Sequence, residues 1–384
     1  SVTVIDLTNG VAGASARTAT FSAWIGREDQ LRADGVRIFG IKSNGSASNA
    51  AEDLEPEYIA VQGPRAYVTL QENNAVAVLN FGQARIEAIL PLGFKDHNVA
   101  GQGLDPSDRD GANMIQPWPV FGMFNPDSIA TLKVRNEVFL LTANEGDARV
   151  YPTGDDVVPG VEEGGLFNEE ASVEDLELDP EAFPDADTLQ QRVNLGRLNV
   201  TSTLGDPDGD GRFNRLYSFG ARSFSVWSVA DFAATTAPTA PNAGLVYDSD
   251  DAFEQITRSV YTAQFNASNS NTTRDNRSDN KGPEPEGIAV GRVGPRDYAF
   301  ISLERIGGVM VYDVSNPRQA RFLQYVNTRA FGVDALPGQD DSGPEGVTFI
   351  AAEDSPDGRP LLLVGNEVSQ TLAVFEVEAL KSRR

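Results

Sequence analysis

The chain has 384 residues, 40% of them hydrophobic, and a formal net charge of −25. This excess of acid argues against nucleic acid and anionic membranes as partners, because both attract surfaces rich in Lys and Arg. Cysteine is absent and His97 is the only histidine, which excludes disulfides, iron–sulfur clusters and zinc sites built from thiolates or several imidazoles. Metal ions are the expected partners, and they must be bound through oxygen. Ca²⁺ is therefore the first expectation, with Mg²⁺, Mn²⁺ and Fe³⁺ as alternatives.

Short runs of apolar and β-branched residues, separated by turn residues, follow one another along the chain and predict an all-β protein. Residues 2–7 and 18–24 are typical of the outer strands of a first blade. Longer units then repeat with a size and strand content typical of β-propeller blades. These blade-like units are 54–92, 126–202, 216–256, 285–328 and 344–378.

The repeat predicts a single β-propeller domain over residues 1–384, with about six to seven four-stranded blades. A β-sandwich is the structural alternative, but a sandwich does not require the same acidic pair in every repeat. Two long insertions, 93–124 and 147–196, interrupt the repeats, and loops of this length in a compact ring are usually functional or disordered. The second insertion is strongly acidic, and Pro184 with the acids after it predicts a helix near 185–195.

Two acidic positions recur in most of these units. One acid stands beside the proline at the start of the first strand, and one Glu stands in the turn between the second and third strands. In a propeller both positions lie on one face near the axis, because each begins or ends an equivalent strand. We therefore predict a ring of carboxylates that bind metal: Glu57, Glu72, Asp127, Glu145, Asp147, Glu284, Glu286, Glu304, Glu345 and Glu367.

Carboxylates this close together repel one another by roughly several kcal/mol, so either some bind protons or cations neutralise them. Calcium takes about six to eight oxygen ligands, and a ring of Glu and Asp suits that number. A solvated acidic rim is the alternative. Arg149, Arg222 and Arg305 fall in or beside the same turns, which predicts binding of an oxyanion such as phosphate. The alternative is that each arginine pairs with a neighbouring Glu.

A separate calcium signal lies in the second half of the chain. Asp206, Asp208 and Asp210 alternate and precede a glycine, as in the front half of a calcium loop, although Tyr217 stands where the final Glu is expected. An ordinary turn is the alternative. Residues 105–111 carry a weaker form of the same pattern. His97 is expected to be structural, with a role as proton donor as the alternative.

Residues 144–149, 216–224, 282–287 and 303–308 resemble the choice-of-anchor I family of bacterial surface proteins, and the resemblance covers nearly the whole chain. It implies a β-propeller in an extracellular, periplasmic or cell-surface location. The sequence has no run of about eighteen apolar residues, so no membrane-spanning segment is predicted. A chain that begins with Ser rather than Met is expected to be a processed or truncated form.

The Pro-Glu-Gly strands also resemble the propeller phytases and the calcium/iron phosphatases of propeller fold, which bind phosphate through metals held by carboxylates. The resemblance implies a calcium-dependent phosphoester hydrolase, with phosphate or a phosphate ester as partner. Its implied catalytic residues are Glu145, Glu304, Arg149 and Arg305, and its implied metal ligands include Glu286, Glu345 and Glu367. The iron-containing phosphatases use a Cys ligand, which this chain lacks. A non-catalytic calcium-binding surface module for adhesion, matrix or mineral contact is the other prediction.

Overall fold

The computed structural model describes residues 1–42, 46–152, 166–234, 242–331, 338 and 340–380. These residues form 24 β-strands and five short α-helices, which confirms the predicted all-β class. In chain order the strands are β1 (Val2–Asp6), β2 (Ser15–Ala19), β3 (Ile59–Gln62), β4 (Arg65–Leu70), β5 (Ala75–Asn80), β6 (Arg85–Pro91), β7 (Phe94–Asp96), β8 (Phe121–Met123), β9 (Ile129–Val134), β10 (Glu137–Asn144), β11 (Val150–Pro152), β12 (Leu166–Asn168), β13 (Glu170–Ser172), β14 (Asn199–Thr201), β15 (Tyr217–Ser218), β16 (Ser223–Ser228), β17 (Leu245–Asp248), β18 (Pro285–Val293), β19 (Arg296–Leu303), β20 (Val309–Asp313), β21 (Arg321–Val326), β22 (Pro344–Ile350), β23 (Leu361–Asn366) and β24 (Thr371–Glu376). The helices are α1 (Glu28–Ala33), α2 (Ala50–Asp53), α3 (Ala186–Leu189), α4 (Val229–Ala234) and α5 (Ala252–Val260).

Four antiparallel sheets follow one another in the described part of the chain. Their strand orders are β3-β4-β5-β6, β9-β10-β16-β17, β18-β19-β20-β21 and β22-β23-β24. The innermost strands are neighbours, because β9 contacts both β3 and β18, and β18 contacts β22. Sheets joined through successive innermost strands are the blades of a propeller. We call these sheets blades A, B, C and D, and the total of six to seven blades stays a prediction.

Each pair of neighbouring blades shares an apolar core. Tyr67 of blade A packs in one cluster with Leu140 and Trp227 of blade B. A second cluster joins blades B and C, and a third joins blades C and D. Burial of a large apolar side chain contributes about 1.5–3 kcal/mol, so these shared clusters stabilise the contacts between blades. The inner strands are therefore apolar on both faces, as in β5, where all but the last residue are buried.

The strand pairing in blade B contradicts one predicted blade boundary. The units 126–202 and 216–256 were expected to be separate blades, but β10 pairs directly with β16, and both units contribute to one sheet. Residues 145–222 are therefore an insertion between two neighbouring strands of that sheet. The error has a physical reason, since a strand finds its partner through its hydrophobic pattern and not through proximity in sequence.

A further, five-stranded sheet contains β7 and β8 from the predicted insertion 93–124 and β13 from the predicted insertion 147–196. Its strand order is β13-β14-β15-β8-β7, in which β14 and β15 lie beyond the predicted end of the second insertion, and the nearby core includes Leu104, Trp118 and Leu198. The described part of the acidic insertion includes α3, which lies inside the predicted helical range and spans one turn. None of the helices in the described ranges is long and apolar enough to cross a membrane.

Candidate metal centre

One face of the blades carries both the starts of the innermost strands and the turns between the second and third strands. We call it the acidic face. Asp127, Glu145 and Glu286 each place one carboxylate oxygen within 4.8 Å of the others, and we call this group the first triad. Glu145, Glu284 and Glu304 meet in the same way and form the second triad. The structure thus brings together acids that are up to 159 positions apart in the sequence, such as Asp127 and Glu286.

Bulges and glycines aim these acids at the face. The pairing of β18 with β19 shifts register between Pro285 and Ile288, and β22 shifts at the equivalent Pro344. A bulge re-aims a side chain at the start of a strand, which explains the recurring Pro-Glu-Gly sequence. A Cβ on Gly287 would lie 2.1 Å from the backbone oxygen of Glu345, so only glycine permits blades C and D to approach this closely.

The turn that carries Glu145 depends on a second close approach. Gly146 has φ +91°, and a Cβ there would lie 2.2 Å from the backbone nitrogen of Gly220. The N–H of Gly146 donates to the carbonyl oxygen of Asn125 at 3.1 Å. Gln71 of blade A donates its Nε2 to Glu145 Oε2 at 2.8 Å. Glu145 is therefore fixed by contacts from blades A and B and from the segment that leads into β16.

Lys281 is a central residue of the acidic face that the sequence analysis missed. Its ammonium lies 2.6 Å from Glu145 Oε1, 3.2 Å from Glu284 Oε2 and 3.6 Å from Asp147 Oδ1. Burial acts to lower the pKa of Lys281, but Glu284, Glu145 and Asp147 outweigh it and raise the pKa above its ordinary value. The available signal was a lone lysine three positions before an acid of the Pro-Glu-Gly motif.

Two arginines complete the charge balance of the second triad. Arg277 Nη2 lies 2.6 Å from Glu284 Oε1, and Arg305 lies 2.9 Å from Glu284 and 3.0 Å from Glu304. Burial acts to raise the pKa of Glu284, but Lys281, Arg277 and Arg305 hold it at about 2. Three cations therefore face the three acids of the second triad, which needs no metal for charge balance.

The first triad has no comparable compensation beyond the shared Glu145. No ion pair within the described ranges reaches Asp127 or Glu286, and the buried atoms Asp127 Oδ2 and Glu286 Oε2 have no hydrogen-bond partner there. Burial, followed by Glu145, raises the pKa of Asp127 to about 9 and that of Glu286 to about 11. Oxygen donors that are buried, unpartnered and short of positive charge fit a hard cation.

Further predicted ligands surround the first triad at its solvent side. Tyr58 and Glu367 are hydrogen-bonded to Glu345, and burial raises the pKa of Glu345. The negative charges of Glu57 and Glu345 both raise the pKa of Asp127, which places them beside it. Glu57 and Glu367 are exposed. Glu57 and Glu345 are thus close enough to influence the triad electrostatically, and Glu367 acts on Glu345.

The remaining predicted ligands on this face, Glu72 and Asp147, line a neighbouring cavity of about 430 Å³. Burial, with Glu55 next, raises the pKa of Glu72 to about 7. Asp147 is exposed and points toward Lys281 at 3.6 Å. The charged residues that line the cavity are acids, apart from Arg149 at its wall.

Arg149 is used within the fold. Its Nη1 lies 3.1 Å from Asp53 Oδ1, its Nη2 donates to the Asp53 backbone oxygen at 3.0 Å, and its guanidinium lies 4.6 Å from the centre of the Phe39 ring. The side chain is only 4% exposed. Arg149 was predicted to bind phosphate, but this burial and pairing leave it in the structural role that was the alternative.

Arg222 was also predicted to bind an anion, but its contacts leave it even less available for one. Its Nη1 donates to Glu254 Oε1 and to the Asp105 carbonyl, and its Nη2 donates to the carbonyls of Ser278 and Asn280, all at 2.7–2.8 Å. A guanidinium with four protein acceptors has little capacity left for a free anion. Among the three predicted anion-binding residues, Arg305 alone forms ion pairs with acids of a triad.

Two other sequence signals lie away from the triads. Asp206, Asp208 and Asp210 each place an oxygen within 4.8 Å of the others, but Asp206 already accepts the N–H groups of Gly209 and Gly211. Calcium binding by this loop stays a prediction. His97 is buried, its Nδ1 contacts the Gln102 carbonyl, and burial lowers its pKa, as expected for a structural histidine.

The sequence profile of the choice-of-anchor I domain matches residues 1–317. The chain belongs to the choice-of-anchor I family. Gigasin-3a of Magallana gigas is 29% identical to this choice-of-anchor I domain over 205 residues, which are 50% of the chain and 68% of Gigasin-3a.

A second relative is the mesenchyme-specific cell surface glycoprotein of Strongylocentrotus purpuratus. It is 30% identical over 285 residues, or 68% of the chain, and the matched part spans 35% of the glycoprotein. Among solved structures, hydrazine synthase of Kuenenia stuttgartiensis overlaps with 87% of each chain at 14% identity, with a TM-score of 0.24. A structural likeness at that TM-score carries no argument about fold or chemistry.

Proposed function

We propose that this choice-of-anchor I domain is a secreted or cell-surface module that binds a hard divalent cation, Ca²⁺ first, at the first triad. The observation that carries the proposal is the pair of buried, unpartnered oxygens, Asp127 Oδ2 and Glu286 Oε2. The second triad beside it has its own lysine and arginines, so the shortage of positive charge is local. A surface location is supported by the family and by the glycoprotein relative.

The donor set favours calcium over the other hard cations. Ca²⁺ accepts six to eight oxygens in a flexible arrangement, whereas Mg²⁺ requires a small octahedron and keeps several waters. The first triad supplies three carboxylates, which bind singly or in bidentate fashion, and Tyr58 and Glu345 stand at its open side. Exposed Glu57 and Glu367 add negative potential that attracts a cation from solution.

Two of the arginines favour a non-catalytic role. Two of the three expected phosphate contacts, Arg149 and Arg222, are occupied by protein carboxylates and carbonyls. With both guanidinium groups paired inside the fold, neither is available to bind a phosphate ester at the acidic face. The cation is then structural, and it joins Asp127 and Glu145 of blade B to Glu286 of blade C.

Phosphoester hydrolysis is the second candidate, and Arg305 is the observation that favours it. This arginine lies beside Glu304 at the edge of the acidic face, and its side chain is 23% exposed. A divalent cation in the first triad would polarise a phosphoryl oxygen. Arg305 would then orient the phosphate and Glu304, whose pKa is raised to about 7 by burial and by Glu284, would hold or release a proton.

Calcium titration calorimetry on the chain stripped with EGTA tests the first proposal. We expect the Glu286→Gln variant to bind Ca²⁺ at this site at least tenfold more weakly, because the substitution removes a charged ligand. Glu353→Gln is the matched control, since Glu353 is exposed in a turn. Equal affinity in the wild-type chain and Glu286→Gln would contradict the proposal.

The hydrolase candidate needs a separate assay. The wild-type chain is incubated with a chromogenic phosphomonoester in Ca²⁺ and in EGTA. Calcium-dependent turnover that Arg305→Lys reduces would support hydrolysis, whereas calcium binding without turnover supports the non-catalytic module.

A further inference from the structure

We propose a second cation site, formed by Asp105, Asp110 and Asp275, where the first insertion meets the loop that follows α5. One oxygen of each carboxylate lies within 4.8 Å of the others. Asp105 and Asp110 belong to a loop closed by the bridge between Leu104 and Gln116. Asp275 comes from the other loop, so a bound cation would join two segments more than 160 positions apart. The site is independent of the proposed function of the acidic face.

An unpartnered buried oxygen points to a ligand here. Asp275 is 3% exposed, and its Oδ1 accepts a hydrogen bond from Ser278 Oγ. Its other oxygen, Oδ2, is buried and has no hydrogen-bond partner in the described residues. Asn266 lies beside it, because its Nδ2 contacts Ser278 Oγ at 2.8 Å, and Asn266 Oδ1 is likewise buried and unpartnered. Buried oxygens without donors are unfavourable unless a cation or water satisfies them.

The shortage of positive charge around the three aspartates is a further reason to expect a cation there. Arg222 is the nearby buried cation, and it pairs with Glu254 rather than with the three aspartates. No ion pair in the described ranges reaches Asp105, Asp110 or Asp275. Burial, with Asp275 and Glu254 next, raises the pKa of Asp105 to about 8. Three adjacent carboxylates are the kind of oxygen ligands that Ca²⁺ prefers.

The second cation site is connected to the acidic face through the segment that follows Asp275. The loop that carries Asp275 continues through Arg277 and Lys281, and the Gly282 N–H donates to the Arg277 carbonyl at 2.9 Å. Glu284 then enters the second triad, and Lys281 pairs with two of its acids. A cation that fixes Asp275 against Asp105 therefore fixes the segment that delivers Lys281 to Glu145.

The test uses the whole chain, stripped with EGTA and reloaded with CaCl₂, and counts bound calcium by elemental analysis and calorimetry. We expect Asp275→Asn to lose one calcium, or to bind it at least tenfold more weakly. Asp110→Asn, which changes a half-buried residue, is expected to do the same with less risk to folding. Asp354→Asn, in an exposed turn, is the matched control.

The variants separate the two sites. Loss of one calcium in Asp110→Asn and of a different one in Glu286→Gln, with both lost in the double variant, supports both proposals. An unchanged calcium count and affinity in both Asp275→Asn and Asp110→Asn, with a near-ultraviolet circular dichroism spectrum like that of the wild type, would overturn the second site alone. An unchanged count in Glu286→Gln alone would overturn the acidic-face proposal instead.

Discussion

At the scale of single residues, Lys281 decides how the acidic face is charged. It is 9% exposed and contacts two acids of the second triad, Glu145 and Glu284. Arg277 and Arg305 supply the other positive charges beside this triad. The first triad lies next to it, and among the residues that the structure describes, its shared Glu145 alone forms an ion pair with a cation. One side chain therefore divides the predicted ring into a half that is neutralised by protein and a half that is suited to metal.

Replacing Lys281 by Met tests this division. Removal of one partner from a buried ion pair leaves an uncompensated charge, so the free energy of unfolding should fall by about 3–5 kcal/mol at neutral pH without calcium. Urea denaturation in EGTA measures the change. Lys133→Met is the control, because Lys133 is exposed on β9. A loss in Lys281→Met no larger than in this control would contradict the assigned role.

At the scale of elements, the start of each innermost strand combines a bulge with a Pro-Glu-Gly sequence. The bulge in β18 aims Glu286 at the first triad, and the equivalent bulge in β22 aims Glu345 at its rim. The two glycines of the motif differ in their surroundings. Gly287 touches the backbone of blade D, whereas a Cβ on Gly346 would meet no atom within 4 Å.

Alanine at these two glycines should therefore have different effects. Gly287→Ala forces a Cβ against the Glu345 carbonyl, and overpacking of this kind should lower the free energy of unfolding by about 1–3 kcal/mol. Gly346→Ala is the matched control, in the same motif of the next blade, and should change stability little. Chemical denaturation of both variants gives the comparison. Equal stabilities would show that the close approach of blades C and D does not require glycine.

At the scale of the whole molecule, neighbouring blades share apolar cores, and the acidic face lies across their junctions. Carboxylates from blades B and C meet in the first triad, so a cation there would join the two sheets in addition to their shared apolar cluster. A chain with a net charge of −25 gains further from a cation, because its own repulsion opposes the compact state.

The pH dependence of stability follows from the first triad. Because the pKa values of Asp127 and Glu286 are raised to about 9 and about 11, the folded metal-free protein keeps protons that the unfolded chain has released. The free energy of unfolding should therefore fall as the pH rises from about 5 to about 9. Urea denaturation across this range in EGTA measures the decline.

Calcium and a variant provide the controls. Saturating Ca²⁺ should make the decline smaller, because the cation replaces the protons at higher pH. Glu286→Gln should also make the decline smaller, since one of the carboxyl groups with a raised pKa in the first triad is gone. Stability that rises with pH in EGTA would show that protons do not compensate the first triad.

Much of the fold was determined by the sequence alone. Alternation of short apolar strands with turn residues gave the all-β class, and the recurring Pro-Glu-Gly and Glu-turn positions gave the common face on which Asp127, Glu145 and Glu286 meet. These features are local, because each needs only a strand period and a turn type that a few residues specify. Cysteine and histidine counts were enough to restrict any metal to oxygen ligands.

Tertiary structure alone decided the pairing of distant segments and the charge of the site. β10 pairs with β16 across an insertion of 78 residues, 145–222, which separated one blade into two predicted units. Arg149 and Arg222 were expected to face an anion, but Asp53 and Glu254 pair with them inside the fold. Lys281 enters the acidic face from a loop with no strand pattern. In each case the outcome depends on which side chains meet in space, and local sequence does not specify those long-range contacts.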